Sequence, residues 1–384
     1  MPLEYQQHLR LAHSEAHRDA VTTVAFSPHG QVLGTGGLDG RVCVWDVASG
    51  KLLYVFSGKS PVLSLVWLQS NERLVCGMQD GTVATMAISA NLINLEGFLA
   101  HRGPVERLAF NGTYLASGAQ KEVKVWAHTP ARSWKLAAEL SAPRRSSYTT
   151  ACEIMVSSLH WTTSVSYPLV LLVTYLSHGI AAFDGRTWAR IGSTSMPGYI
   201  ADASLTRDGR VLAVSNMLTG FELFSIKGLV ELEPLFSFKQ DVSRGLPIPV
   251  CFLHGDHALM GGTSHGKVNI WDVYSRKKQS LALGGEISVL AVAAHYDEAR
   301  DVFFVATGLF NRGAPSSIVL WRTRETRRQR AQVSSGAPSR PFASSPAVYV
   351  LLFLILAAGW YVHNGTGLAL HYIPYHPTSF PAAS

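Results

Sequence analysis

Three residues near the amino terminus, His17, Thr35 and Asp39, carry the side chains of a nucleophilic hydrolase. A hydroxyl could attack, an imidazole take its proton, and a carboxylate orient the imidazole. They lie in and before LGTGGLDGRVCVWD (33–46), which reads as a short strand, an Asp-Gly turn and a second strand ending in Trp45-Asp46. The same residue types have a second use. A buried indole N–H needs an acceptor and a buried carboxylate needs donors, and either is costly to leave unpaired. An imidazole set between carboxylate and hydroxyl supplies both and ties a loop to a strand. Two features favour that use. The set recurs with its tryptophan as His101, Ser117 and Trp126, where Gln120 stands in the aspartate's place, and no G-x-S-x-G elbow accompanies His17, Thr35 and Asp39. Asp39 is therefore expected to be structural rather than catalytic.

The elements that hold these residues repeat. VCGMQDGTVATM (75–86), LASGAQKEVKVW (115–126), LMGGTSHGKVNIWD (259–272) and VATGLFNRGAPSSIVLW (305–321) restate the opening stretch, and LVTYLSHGIAAFD (172–184) and LAVSNMLTGFELF (212–224) are degenerate copies. Aligned on the last aromatic or its substitute, the anchors are Trp45, Met86, Trp126, Phe183, Phe224, Trp271 and Trp321, spaced 41, 40, 57, 41, 47 and 50 residues apart. Seven copies at that period suit four-stranded propeller blades. VTTVAF (21–26), VLSLVW (62–67), VERLAF (105–110) and IADASL (200–205) read as first strands, followed by the turns SPHG, QSNE, NGT and TRDG. KLLYVF (51–56), KLAAEL (135–140) and LFSFK (235–239) read as outer strands, and no long 3.6-residue apolar period interrupts them. Composition agrees: 384 residues, 47% apolar, 33 glycines, 9 tryptophans and only 15% charged.

Repeats of this form, GGLDGRVCVWD and GKVNIWD above all, resemble WD40 repeats, and the resemblance covers about residues 3–322. It implies an all-β, seven-bladed propeller in which a His, a Ser or Thr, an Asp and a Trp form a hydrogen-bonded tetrad within a blade. His17, Thr35, Asp39 and Trp45 match it; His101, Ser117 and Trp126 match three parts; Trp271 and Trp321 match the tryptophan. The second copy keeps Asp80 and has Met86 for the Trp, and in the sixth His265 replaces the Asp. The resemblance also implies that the amino-terminal segment completes the last blade, a task for Tyr5–Leu11, since RTRETRRQRAQ after Trp321 is too charged for an outer strand. Residues beside the tight turns face the binding mouth in this family, which nominates Leu38, Gln79 and Arg312.

Charge is concentrated. Residues 322–340 carry six arginines against Glu325, a net +5 of the chain's +7, and no Lys, Arg, Asp or Glu follows Arg340. A basic face for nucleic acid is not implied, and none is expected as a partner. Cys43, Cys76, Cys152 and Cys251 form no CxxC pair; neither a zinc site nor a disulfide framework is expected, and the thiols read as buried and reduced in a cytosolic domain. No phosphate-binding loop, dinucleotide turn or metal-ligand cluster appears, so no cofactor and no classical enzyme is expected.

Residues 323–346 are rich in Arg, Ser, Pro and Gly and read as a linker. AVYVLLFLILAAGWYV (347–362) follows without a charge, about 24 Å long as a helix. With Tyr349, Trp360 and Tyr361 near its ends, it is read as a single transmembrane helix over 347–363, leaving a short tail, 364–384. The arginines should stay on the cytosolic side with the propeller, and a short span suits a thin bilayer such as that of the endoplasmic reticulum. MPLEYQQHLRLAH has no signal-peptide core, so insertion is expected late, as a tail anchor. Asn364, in an NGT sequon on the far side, is a candidate glycosylation site; His363, His371 and His376 lack metal-site spacing, and Asn111 belongs to a turn.

The expected function is a non-enzymatic scaffold holding proteins or peptides at the cytosolic face of a membrane. The alternative is a guanine-nucleotide exchange factor for a small GTPase at the endoplasmic reticulum: the layout is similar to that of the Sec12 family, although residues 27–50 lack its potassium-binding loop. A cullin-ligase substrate receptor would show W-D-x-R, where this chain has WDVAS and WDVYSR.

Overall fold

A computed structural model describes residues 4–89, 92–129, 133–143, 153–240, 247–285, 287–311 and 316–323. They form seven antiparallel four-stranded sheets. Blades 1 to 6 take their strands in chain order over residues 21–57, 62–99, 107–140, 156–194, 200–238 and 250–282. Blade 7 is composite: Ile287–Asp297, Val302–Asn311 and Ile318–Thr323 are completed by Tyr5–Leu11. The described residues form an all-β, seven-bladed propeller.

The period has a packing cause. Each anchor lies on the third strand of its blade, opposite Leu33, Leu74, Leu115, Leu171, Leu212, Leu259 or Val305 on the second. Seven apolar clusters fill the seven blade junctions. In one, Trp45 and Leu33 of blade 1 meet Ala306, Ile318 and Leu320 of blade 7; in another, Met86 and Leu74 meet Val42 and Val44 of blade 1. Both faces of the middle strands are therefore buried, and VCVWD reads as a continuous apolar run rather than an alternating one.

The inner strands are also joined by side chains. Thr22 Oγ1 donates to Val62 O of the next blade at 2.5 Å, and Ser64 Oγ to Val105 O at 2.8 Å. Arg107 reaches Ser157 O of blade 4 and Ala201 O of blade 5, and Asp202 accepts from Val250 N of blade 6 at 3.0 Å. The tight turns need glycine where the backbone is left-handed. Gly40 has φ +73°, and a Cβ there would lie 2.6 Å from Gly58 O.

The structure shifts some expected bounds. The first strand of blade 3 begins at Arg107 rather than at 105, and the outer strand expected at 235–239 runs Glu231–Phe238. The first strands Val156–Thr162, Val250–Leu253 and Ile287–Asp297 had no sequence expectation. Among the described residues no helix is long and apolar enough to cross a membrane. The expected linker (from 324), span (347–363), tail and Asn364 lie outside the described residues.

Tyr5 anchors the ring closure. Its hydroxyl donates to His254 Nε2 at 2.5 Å and its ring stacks on the imidazole. Burial lowers His254 to about 4, so it is neutral in the fold and accepts. The folded value lies below the usual one near 6.5, so the unfolded chain binds more protons between those values. Stability is then lost as pH falls from about 6.5 toward about 4. The urea midpoint should drop over that interval, and His254→Asn, which removes the titration, should flatten the drop.

Candidate functional site

The residues of the hydrolase-like set do meet, and their burial decides what they do. His17 Nδ1 lies 3.2 Å from Asp39 Oδ1, His17 Nε2 lies 2.9 Å from Thr35 Oγ1, and Trp45 Nε1 donates to that hydroxyl at 3.1 Å. With Nδ1–H donating to the carboxylate, the Thr35 hydroxyl has two acceptors, His17 Nε2 and Cys43 O at 3.3 Å, while its oxygen accepts from the indole. Asp39 also accepts from Arg18 N at 2.7 Å and Arg41 N at 3.1 Å. Burial pushes its carboxyl up, but the bonds from His17, Arg18 and Arg41 outweigh it and hold Asp39 below the usual range. Thr35 is 0% exposed and already accepts an indole N–H, so no substrate reaches it. The set is a rivet between loop, turn and strand.

Blade 3 solves the missing aspartate in a way the sequence did not announce. His101 Nε2 lies 2.7 Å from Ser117 Oγ, which accepts from Trp126 Nε1 at 2.8 Å. Gln120 does not take the acid's place. Glu122, two residues later at the start of the third strand, reaches His101 Nδ1 at 3.1 Å. The longer side chain makes up for the shift. Burial lowers His101 despite Glu122, and the bond from His101 lowers Glu122, consistent with a neutral imidazole donating to a carboxylate.

Trp271 and Trp321 depart from the tetrad expectation. Gly261 stands where Trp271 would find its hydroxyl, and a Cβ there would lie 2.1 Å from the Phe221 ring. Trp271 instead packs edge-on to Phe221 and stacks on Phe238. In blade 7, Thr307 Oγ1 donates to Val319 O at 3.2 Å, and Trp321 Nε1 has no partner among the described residues. Blades 4 and 5 place Val173 and Val214 at the hydroxyl position, and the ring on the third strand of the same blade, Phe183 or Phe224, has no N–H to satisfy. GTSHG (262–266) does match a nucleophile elbow. It joins two strands rather than a strand and a helix, and Ser264 Oγ lies 2.9 Å from Nδ1 of its neighbour His265.

The second-to-third-strand turns and the entries to the inner strands share one face, because Leu38 N donates to Ala20 O and Gln79 N to Pro61 O. Leu38 and Gln79 are exposed there. Arg312 lies outside the described residues. Sequence reasoning missed Leu218, 66% exposed, and Tyr199, on the same face of blade 5, where Met217 N donates to Tyr199 O. The signal was available, since Leu218 occupies the turn of the copy LAVSNMLTGFELF.

From this face the inner strands run into an axial cavity of about 310 Å³, whose polar lining includes Thr22, Ser64, Glu106, Arg107 and Asp202. Burial raises the carboxyls of Glu106 and Asp202, with Arg107 opposing. Burial also pushes the Cys43, Cys76 and Cys251 thiols up to about 12, which keeps them protonated and unreactive at neutral pH. No cluster that could hold a metal ion occurs among the described residues.

Comparison with known proteins points the same way. A family model described as WD domain, G-beta repeat matches residues 9–46 and 50–84. WD repeat-containing protein VIP3 of Arabidopsis thaliana is 32% identical over 114 residues, 25% of this chain and 35% of that protein. Periodic tryptophan protein 2 homolog of Caenorhabditis elegans is 32% identical over 81 residues, 21% and 9%. Small ribosomal subunit protein RACK1 of Brassica napus is 37% identical over 65 residues, 17% and 20%. The matched segments thus span about a third or less of these relatives.

Proposed function

We propose that the protein is a non-enzymatic scaffold that holds protein partners on its turn face, tethered to a membrane through residues 347–363. The observation that carries the scaffold reading is the burial of its two triad-like sets, His17–Thr35–Asp39 and His101–Ser117–Glu122, whose hydroxyl residues are both 0% exposed: chemistry-bearing residues are spent on rigidity, while the turn face exposes Leu38, Gln79, Tyr199 and Leu218. Relatives named as WD repeat-containing or ribosomal-subunit proteins are in keeping with a platform for other chains. The tether rests on an uncharged sixteen-residue stretch beside an arginine cluster. The cluster keeps the propeller cytosolic, and the short span favours the endoplasmic reticulum.

Proximity labelling from the full-length protein tests both parts. The expected result is a set of cytosolic-side proteins lost on combined Leu38→Ala, Gln79→Ala and Leu218→Ala, with the protein retained in membranes after carbonate extraction. Release by carbonate overturns the tether, and labelling unchanged by the triple variant overturns the face. Catalysed nucleotide exchange on a labelled small GTPase would replace the scaffold with the exchange-factor reading.

A further inference from the structure

Each blade ends in an outer strand with an unpaired edge, and such edges invite another chain unless they are blunted. Six of the seven are blunted. Outer strands in blades 1, 3, 4 and 5 are bulged opposite Trp45, Trp126, Phe183 and Phe224, and blade 5 adds Pro234. The blade 7 edge is bulged between Gln7 and Leu9; that of blade 6 is five residues long and opens on Lys278. Blade 2 differs. Its outer strand Leu92–Leu99, LINLEGFL, pairs with Thr82–Ser89 over eight residues without a shift, has Glu96 as its one charge, and contains neither lysine nor proline.

Two further observations mark this edge as a pairing surface. Ala100 N donates to Gly81 O, so the alternation of an antiparallel ladder turns the peptide groups of 94, 96 and 98 inward and those of 95, 97 and 99 outward. Those outward residues are Leu95 and Leu99, 38% and 71% exposed, with Gly97 between them; Phe98, on the other face, packs on Trp126. Gly97 has no left-handed φ, and a Cβ there would meet Thr82 Cγ2 at 3.4 Å, an ordinary contact. The fold does not require glycine at 97. A glycine inside a strand without such a need suits the close approach of another backbone.

We propose that this edge pairs antiparallel with the same edge of a second copy, about a twofold axis through Gly97. In that register Leu95 faces the copy's Leu99, Gly97 faces Gly97, and Glu96 faces Phe98. Both exposed leucines gain cross-strand partners and no like charges meet. An axis at Glu96 would oppose two carboxylates, and an axis at Leu95 would leave Leu99 opposite residue 91, beyond the strand.

Cysteine cross-linking in the full-length chain tests the register. Residues 97 of the two copies would sit about 5.5 Å apart at Cα, within the disulfide range of about 4.4–6.8 Å. Residues 95 would be roughly 14 Å apart. With diamide, Gly97→Cys should give a covalent dimer that dithiothreitol reverses. Leu95→Cys should give little more than the parent protein, and adding Leu99→Lys to Gly97→Cys should cut the dimer at least tenfold. A melting scan of each variant establishes that it is folded. The proposal is overturned by any of four results from folded variants: no dimer from Gly97→Cys, equal dimer from positions 95 and 97, indifference to Leu99→Lys, or cross-linking of Gly97→Cys to a different protein instead.

Discussion

Deletion of residues 1–12 is expected to abolish the cooperative melt of the propeller. Tyr5–Leu11 is the outer strand of blade 7, pairing from Tyr5 opposite Thr323 to Leu11 opposite Ile318. Its side chains serve two junctions. Tyr5 is buried in the cluster between blades 6 and 7, and Leu11 in the cluster between blades 7 and 1. Arg10 adds a bond to Ser317 Oγ at 3.1 Å. Two buried side chains contribute about 1.5–3 kcal/mol each, and each ladder bond about 1 kcal/mol. Together these approach the about 5–15 kcal/mol that separates a folded domain from its unfolded chain. The deletion would also leave Ile318–Thr323 as a bare apolar edge, so aggregation should accompany the loss. Scanning fluorimetry and size-exclusion chromatography read both effects. A deletion variant that is monomeric and melts cooperatively near the parent temperature would remove the amino-terminal strand from the closure.

Thr35→Val should be the most damaging conservative change in blade 1. The substitution keeps shape and removes the hydroxyl that serves His17 Nε2 and Trp45 Nε1 at once. Two buried polar groups are left without a partner, at a cost of about 1–3 kcal/mol each. The loss should appear as a drop of about 2–5 kcal/mol in unfolding free energy by urea titration. Thr35→Ser, which keeps the hydroxyl, should cost less than half as much. Equal losses for Val and Ser would mean that packing of the methyl, rather than the bonded hydroxyl, holds the site.

Much of the architecture was legible because it repeats. Val21–Phe26, Val62–Trp67 and Ile200–Leu205 coincide with runs readable in the sequence, and the seven anchors fall on seven third strands. A repeated unit shows its pattern several times, so a weak copy such as LAVSNMLTGFELF is placed by its neighbours. The substitutions within the tetrads were less legible. Nothing local reveals that Glu122 reaches His101, since the distance depends on how the turn at Gln120, with φ 49°, folds back. Gly261 reads as turn punctuation until the Phe221 ring of the preceding blade is seen to fill its place.

The sequence by itself determined the blade count, the strand periodicity and the four residues of the blade 1 rivet, because apolar spacing and turn chemistry act over a few residues. Only the tertiary structure decided which rivets close, where Trp271 trades a hydroxyl for stacked rings, and which of seven outer edges is left unblunted. Those outcomes depend on side chains brought together from adjacent blades and on the register of each ladder. Both are set by packing around the ring rather than by any one stretch of chain.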